Sequence, residues 1–506
     1  MDWLSLQKDM PKQARLPARA TKIVNLTSIL MGKQYDHLKY DFSEELTGSG
    51  EHILLSLRRP SVKANLCRTV VMDSVSLLFS EGHFPTATSH DPKLIETINK
   101  FMTITNLNSL FIDAATRGSV GSIAILMKIL KNRVFFEVMD TPYLTPVFDR
   151  NDPDSVVAVT ELYITDSDSL ISLGYTLPEA GRYFFRREWT TDKEIWYLPY
   201  LVSKENPILV IDEENTITHG LGFCPIIWIK NLSGGDKIDG SCTFEAGIDT
   251  ALEVDYQLSQ AGRGLKYASD PRLIIRDPMG EDGNIVGGVT NAIRINSMEG
   301  DVKFLEINGT AAQAVLIHVR YLRSLALEAM HGNRSDADKL NAAQSGRAME
   351  MMNQGLIWLA DKLRTSYGQN GLVSLIKMFC KATKVVAGGI ILGGETVKDL
   401  DENNFNLIWP RWYAPSSEDR MNDGNTYAQL IKNGVLSRRG ALKVIASDYD
   451  IEDIDAEIAQ IEIENQEGDA RKKDMEEFTS YLDLKATEAE ASLQTARTDS
   501  QKQTEV

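Results

Sequence analysis

Apolar residues recur along this chain in different rhythms, and each rhythm predicts a different kind of element. Residues 68–79 (RTVVMDSVSLLF) carry Val71, Val75 and Leu78 on one helical face, and residues 106–117 (NLNSLFIDAATR) predict a second helix that Gly118 stops. Residues 122–127 (SIAILM) form a short apolar run that fits a buried strand or a short helix equally well. From residue 133 onward, short β-rich runs at 134–139, 156–164, 183–189, 194–199 and 208–211 alternate with Asp, Asn, Gly and Pro separators. The largely apolar run 223–230 (FCPIIWIK) closes the series, so residues 120–230 read as mainly antiparallel β structure.

The rhythm changes after the turn-rich stretch 231–241 (NLSGGDKIDGS). Gly247, Ala251, Val254, Leu258, Ala261 and Leu265 then recur at four- and three-residue steps, the stripe of an amphipathic helix. Strand-like runs at 272–276, 292–296 and 302–307 follow, separated by PMGEDGNIVGG. A second helix begins near Thr310, with a stripe of Val315, Val319, Leu322, Ala326 and Ala329. Two helices thus bracket a small, turn-rich β module.

Residues 332–345 (GNRSDADKLNAAQS) are polar and aperiodic, and read as a loop. A long helix is expected over 346–382, with Met349, Met352, Leu356, Leu359 and Leu363 on one face and a kink or break at Gly368 and Gly371. The methionines at the start of that helix, Met349, Met351 and Met352, are read as ordinary core rather than as an adaptable binding surface. A strand at 405–409 precedes helices at 419–432, 438–446 and 451–463, with Gly434 as a stop and Ser437 as an N-cap. Beyond Glu467 the composition turns polar and acidic, and the end of the chain is expected to be a disordered tail.

Composition and charge narrow the function. The 506 residues exceed one ordinary core and predict roughly two to four structural units. The four cysteines, Cys67, Cys224, Cys242 and Cys380, follow no metal-site or redox spacing and are expected to be reduced, mostly buried thiols. The N-terminus lacks the pattern of a signal peptide, and the longest apolar candidate, residues 385–394 (VVAGGIILGG), is too short to cross a bilayer; a soluble intracellular protein is expected. With 54 basic against 71 acidic residues the net charge is −17, which disfavours a protein that grips nucleic acid by neutralising phosphates.

Catalytic signatures are missing from the sequence. It has no P-loop, no HExxH and no GxSxG, and its seven histidines are dispersed. The glycine clusters at 48–50 and 388–394 lack the strand–helix setting of a phosphate cradle and read as turns. His83 and His90 flank a proline-containing loop and are expected to be solvated. No enzymatic role, cofactor or metal is therefore expected.

The order of these parts resembles the portal proteins of tailed bacteriophages, the head-to-tail connectors of siphophage-type particles. The resemblance rests on the run 223–240 leading into a helix in which Asp249 and Gln257 hold the positions of family polar residues. It rests further on ASDPRLII at 268–275, on QSGRAMEMMN at 344–353, and on NGVLSRRGAL at 433–442 before an acidic helix. It covers roughly residues 20–465, and its specificity lies in the order of motifs that are individually weak.

The resemblance implies an α+β protomer with an α/β wing (1–240 and 346–412), a two-helix stem (241–268 and 310–331), a small α/β clip (269–309), a tunnel loop (332–345), a long kinked helix and a helical crown (413–466), followed by a polar tail (467–506). It implies a homo-oligomeric ring of about twelve subunits at one capsid vertex of the virion, assembled in the host cytoplasm. Double-stranded DNA would pass through without sequence reading, and the packaging ATPase would be another protein. Terminase large subunit, head-completion or adaptor proteins, and major capsid and scaffolding proteins are the implied partners, with no membrane. The alternative is another head–tail adaptor or capsid-associated structural protein, though adaptors are usually shorter and lack the helix–β–helix excursion. A cytosolic acidic enzyme would need a convergent polar site that the sequence does not display.

Two groups of residues carry the expected contacts. Glu245, Asp249 and Glu253 lie at i, i+4 and i+8 on one helix face, where like charges cost a few tenths of a kcal/mol each unless compensated. They are read either as a solvated face or as partners of Arg320 and Arg323, on the second stem helix of the same or a neighbouring subunit. Arg334, Asp336, Asp338, Lys339, Asn341 and Gln344 of the polar loop are expected to line the channel, touching the duplex backbone without reading bases. Deleting residues 332–345 should leave rings intact while impairing packaging or retention of DNA; loss of the rings, scored by electron microscopy, would contradict the assignment.

Overall fold

The computed structural model describes residues 5–7, 10, 17–80, 82–204, 208–269, 272–276, 301–305, 310–332, 346–413, 417–446, 451 and 454–502. It is a mixed fold of helices and mostly antiparallel sheet. Two compact units form, Met1–Ala342 with Met349–Trp412, and Ala343–Ala348 with Tyr413–Val506.

The first unit opens with helix α1, Ala18–Leu30, and a two-residue parallel pair, β1 (Tyr40–Asp41) and β2 (Arg58–Arg59). Helix α2 (Leu66–Phe79) starts at Asn65, whose side chain accepts the Arg68 N–H. Val71, Val75 and Leu78 are buried, as their spacing predicts. Strand β3 (Thr86–Thr88) leads to α3 (Pro92–Ile104), started by an Asp91 cap and a proline at the first helical position. Helix α4 (Leu107–Gly118) follows.

The ambiguous run at 122–127 is a strand. Within β4 (Ser122–Leu130) the first six residues are all buried, because β4 is the central strand of a three-stranded sheet. Lys131 and Asn132, both at positive φ, turn it into β5 (Arg133–Met139). A five-stranded meander comes next: β6 (Leu144–Phe148), β7 (Val156–Asp166), β8 (Arg182–Trp189), β9 (Lys193–Leu201) and β10 (Ile211–Thr218), with a short helix α5 (Ser167–Ser172) between β7 and β8. Strand β11 (Ile226–Lys230) then returns to the other side of β4. Ala124, Leu126, Met139, Val159, Trp189 and Trp228 form one core between the two sheets.

The strand expected at 208–211 is displaced: β10 starts at Ile211 and runs through the polar residues that follow. It is an edge strand bonded only to β9, so no alternating apolar pattern marks it, and Ile208 stands 89% exposed just before it.

A 3₁₀ turn (Glu245–Gly247) leads into α6 (Ile248–Ser269). The antiparallel pair β12 (Arg272–Arg276) and β13 (Asp301–Leu305) separates α6 from α7 (Thr310–Ala329). The expected strand at 292–296 lies outside the described residues. The long helix expected over 346–382 is several pieces: α8 (Gly346–Met352), α9 (Gln354–Leu363), a π-helical segment (Arg364–Val373) and α10 (Ser374–Val385). Both expected glycines fall in the π segment, where their role is close approach. A Cβ on Gly368 would stand 2.6 Å from the Trp409 ring, and one on Gly371 would stand 2.9 Å from Ile229 and 3.0 Å from Phe111. A small hairpin, β14 (Ile390–Leu392) and β15 (Glu395–Val397), and β16 (Asn406–Ile408), paired with β3, complete the unit.

In the second unit, α11 (Ser417–Lys432) ends where Gly434 adopts positive φ and the Val435 N–H bonds back to Leu430. Ser437 caps α12 (Arg438–Ile445) by accepting the Gly440 N–H at 3.0 Å. The stretch after Glu467, expected to be a disordered tail, instead continues α13 (Ile454–Lys502). Its abundant Ala, Glu, Gln and Lys are good helix formers, whereas its apolar content is too low to print a helical stripe.

Polar ties fix the first unit around β11. Asn231 is fully buried at the end of that strand. Its amide donates to the carbonyls of Ser119 (3.2 Å) and Ser241 (2.8 Å) and to the Thr243 hydroxyl (2.9 Å), and its oxygen accepts the Tyr367 hydroxyl at 3.1 Å. Nearby, the Arg19 guanidinium of α1 grips Asp239 with two hydrogen bonds, 2.6 and 2.8 Å, and donates to the carbonyls of Thr141 and Leu144. Replacing Asn231 by alanine leaves several of its partners buried without a bond. Asn231→Ala should lower stability by about 3 kcal/mol and Tyr367→Phe by about 1 kcal/mol, both read by denaturant titration.

Candidate functional site

Helices α6 and α7 form an antiparallel two-helix arm whose base is locked into the body. At the base, the start of α6 meets the end of α7 so closely that a Cβ on Gly247 would lie 2.5 Å from Met330. Just beyond α7, a Cβ on Gly332 would lie 2.2 Å from Val70 of α2. Both glycines are there because no side chain fits.

Asp255 of α6 holds the second lock. It is 2% exposed and accepts the Tyr35 hydroxyl at 3.0 Å and the Ala64 N–H at 2.7 Å. One turn on, the Ser259 hydroxyl donates to the Asp255 carbonyl and accepts the Val62 N–H. Tyr256 donates to the Arg58 carbonyl at 2.8 Å and meets Tyr35 edge-on, ring centroids 5.9 Å apart. Burial pushes the Asp255 carboxyl up to about 6, the hydrogen bond from Ala64 only partly opposing it.

Away from this base the arm is less covered. The α6 stripe is buried at Ala251, Val254 and Ala261, but Leu265 emerges to 42% exposure. In α7, Val319 and Ala326 are buried, yet Leu316, Ile317, Tyr321 and Leu325 form an outward row. Ile317 and Tyr321, one turn apart, are each exposed by more than 60%. The sequence marks one stripe of α7 plainly, and the outward row shows there only in that apolar residues occupy more of the α7 circumference than one stripe needs.

The acidic triplet does not meet the predicted arginines within the protomer. Glu245 is exposed and pairs with Lys22 of α1 at 2.9 Å. Asp249 is exposed on the next turn. Glu253 is half-buried and accepts the Gln257 amide at 2.7 Å. Burial pushes its carboxyl up, but that hydrogen bond and nearby positive charge, including His318 of α7, outweigh burial and hold it below the usual carboxylate range. Arg320 and Arg323 are exposed, and among the described residues no ion pair joins them to the triplet. The loop residues Arg334, Asp336, Asp338, Lys339, Asn341 and Gln344 lie outside the described residues.

The remaining candidate chemistry is structural. All four cysteines are free, and burial pushes the thiols of Cys224, Cys242 and Cys380 up to about 12 and that of Cys67 further still. His83 is half-buried, one ring nitrogen bonded to Ser80 and the other to the Trp412 carbonyl, and so is not the solvated side chain its loop suggests. Among the described residues no group of three His, Cys, Asp or Glu is arranged to hold a metal, and no helix is long and apolar enough to cross a membrane. In comparison with known proteins, no family model matches the chain and no curated protein sequence matches it.

The buried carboxyl gives the arm a titration of definite sign. A carboxyl whose pKa rises from 3.8 to about 6 on folding is bound to a proton more tightly in the folded chain. Its contribution is therefore most favourable below pH 4 and declines by about 3 kcal/mol as pH rises through 6. Asp255→Asn should gain stability relative to the parent across that interval and run parallel to it above pH 7. Urea titrations at stepped pH measure this; parallel curves from pH 4 to 7 would contradict it.

Proposed function

We propose that this chain is the protomer of a portal, closing with copies of itself into a ring that conducts double-stranded DNA at one capsid vertex of a tailed phage or phage-like particle. The observation that carries the reading is the arm: two antiparallel helices joined through a β hairpin, locked at the base, with an uncovered apolar row along α7. A lone protomer leaves that row in water, whereas a neighbouring subunit in a ring would cover it in every protomer by the same heterologous contact.

In this reading the body is the wing, α6 and α7 the stem, the hairpin the clip, α11 to α13 the crown and its extension, and residues 332–345 the tunnel loop. The role is conduction and docking rather than catalysis: genome packaging, retention and ejection, with terminase bound during packaging and head-completion or tail proteins afterwards. A net charge of −17 suits a conduit through which a polyanion must slide. Arg320 and Arg323 are then candidates for contacts with an adjacent subunit, since among the described residues no ion pair joins them to Glu245, Asp249 or Glu253.

Negative-stain electron microscopy of the purified chain, with particle mass measured in parallel, tests this. Rings of about twelve subunits with a duplex-wide channel are expected. The double variant Ile317→Asp/Tyr321→Asp should abolish rings while leaving the circular dichroism of the fold unchanged, since each buried side chain of this size contributes about 2 kcal/mol per interface. Unaltered rings in that variant would reject the row as the contact, and a parent chain that stays monomeric at high concentration would reject the ring.

A further inference from the structure

A cleft of about 270 Å³ opens between β11, the turn from β6 to β7, and the helix that runs from the π segment into α10. Asn370, Ser374, Lys377 and Lys381 line it in one row, at i, i+4, i+7 and i+11 along that helix. Lys230, at the end of β11, adds a third ammonium, 5.2 Å from the Phe148 ring centroid. Buried Ile226, Trp228 and Met378 make an apolar floor, and Asp154 is the one carboxylate among the lining residues.

The charge here runs against that of the whole molecule. Acidic residues outnumber basic ones 71 to 54; Lys22, Lys63, Lys100, Lys128 and Lys384 have carboxylate partners, whereas among the described residues Lys93, Lys131 and Lys432, like the cleft lysines, have none. Among the described residues, Lys230, Lys377 and Lys381 form no ion pair; Asp236 feels the field of Lys230 without a salt bridge to it. Lys377 and Lys381 stand one turn apart, a spacing at which like charges repel, and both are exposed at the rim of the cleft that Lys230 also lines. A hydroxyl and an amide on the same row supply neutral donors beside the charges.

We propose that this cleft binds a compact oxyanion carrying two or more negative charges, of the size of pyrophosphate or a triphosphate chain. Three ammonium groups, partly offset by Asp154, leave a net positive charge that such an anion would meet, and Ser374 and Asn370 complete its hydrogen bonds. The small volume admits a compact group, and the chain's net charge of −17 disfavours an extended polyanion such as duplex DNA. The site stands apart from the arm and does not depend on the portal reading.

Isothermal titration calorimetry of the full chain with inorganic tripolyphosphate at low ionic strength tests it. One anion per chain is expected, with affinity reduced at least about tenfold in Lys377→Ala/Lys381→Ala and by less than about twofold in a control pair of exposed lysines, Lys93→Ala/Lys432→Ala. Circular dichroism checks that the variants fold. Titration with adenosine triphosphate separates the sources: equal affinity assigns the phosphates alone, and tighter binding gives the base a seat on the apolar floor. Absence of binding, equal loss in both lysine pairs, or lysine-dependent uptake of duplex DNA in place of tripolyphosphate would each overturn the proposal.

Discussion

A carboxamide buried without water must find protein partners for both its N–H groups and its oxygen, or each unmet group costs stability. Asn231 meets that demand with stretches that are far apart in sequence: the turn after α4, the approach to the arm, and the π segment. Its own backbone N–H adds a bond to the Gly121 carbonyl, so the residue is fixed from both sides. The three-stranded sheet, the base of the arm and the long interrupted helix are consequently positioned against one another through one side chain. Gly118 contributes by having no side chain, since a Cβ there would stand 2.3 Å from the Tyr367 hydroxyl.

Much of this architecture is legible in the sequence because local periodicity and burial agree. The stripes of α2, α4, α6 and α7 announce helices, and Ser437 and Gly434 mark a start and a stop in the second unit by ordinary capping chemistry. What stays hidden depends on contacts between distant residues. Nothing near 368–371 tells a break from a close approach; only the Trp409 ring and the Ile229 side chain decide it. Strand β10 escapes because an edge strand can be polar on both faces. The helical continuation of α13 escapes because polarity alone does not separate a solvated helix from a coil.

The same division holds for the candidate site. Glu245 falls in the 3₁₀ turn before the helix, whereas spacing places Asp249 and Glu253 one turn apart on α6, and that much is local. Their partners are not, and Lys22 and His318 occupy positions that no motif links to the triplet. Asp255 is the most buried acid of the helix, yet a single carboxylate beside an apolar stripe reads like any solvated residue until Tyr35 and Ala64 are seen to enclose it. The outward row on α7 has the opposite character: its apolar residues are plain in the sequence, and only the fold distinguishes those that face α6 from those that face water.

The arm also has a mechanics set by where it is clamped. Its ties to the body run from the Gly247–Met330 contact just before α6, through the Asp255 and Ser259 hydrogen bonds, to the Arg263–Glu45 ion pair, so they hold most of the 22-residue helix. At 1.5 Å of rise per residue the six residues beyond Arg263 span about 9 Å, so a rotation of about five degrees at the last tie sweeps the far end of α6 through only about 0.8 Å. A displacement of that size is smaller than the slip of one helix past the ridges of another, so the root of the arm moves with the body. The length of helix beyond the last clamp, rather than its whole length, sets how little of a rearrangement around Tyr35 and Ala64 reaches the β12–β13 pair.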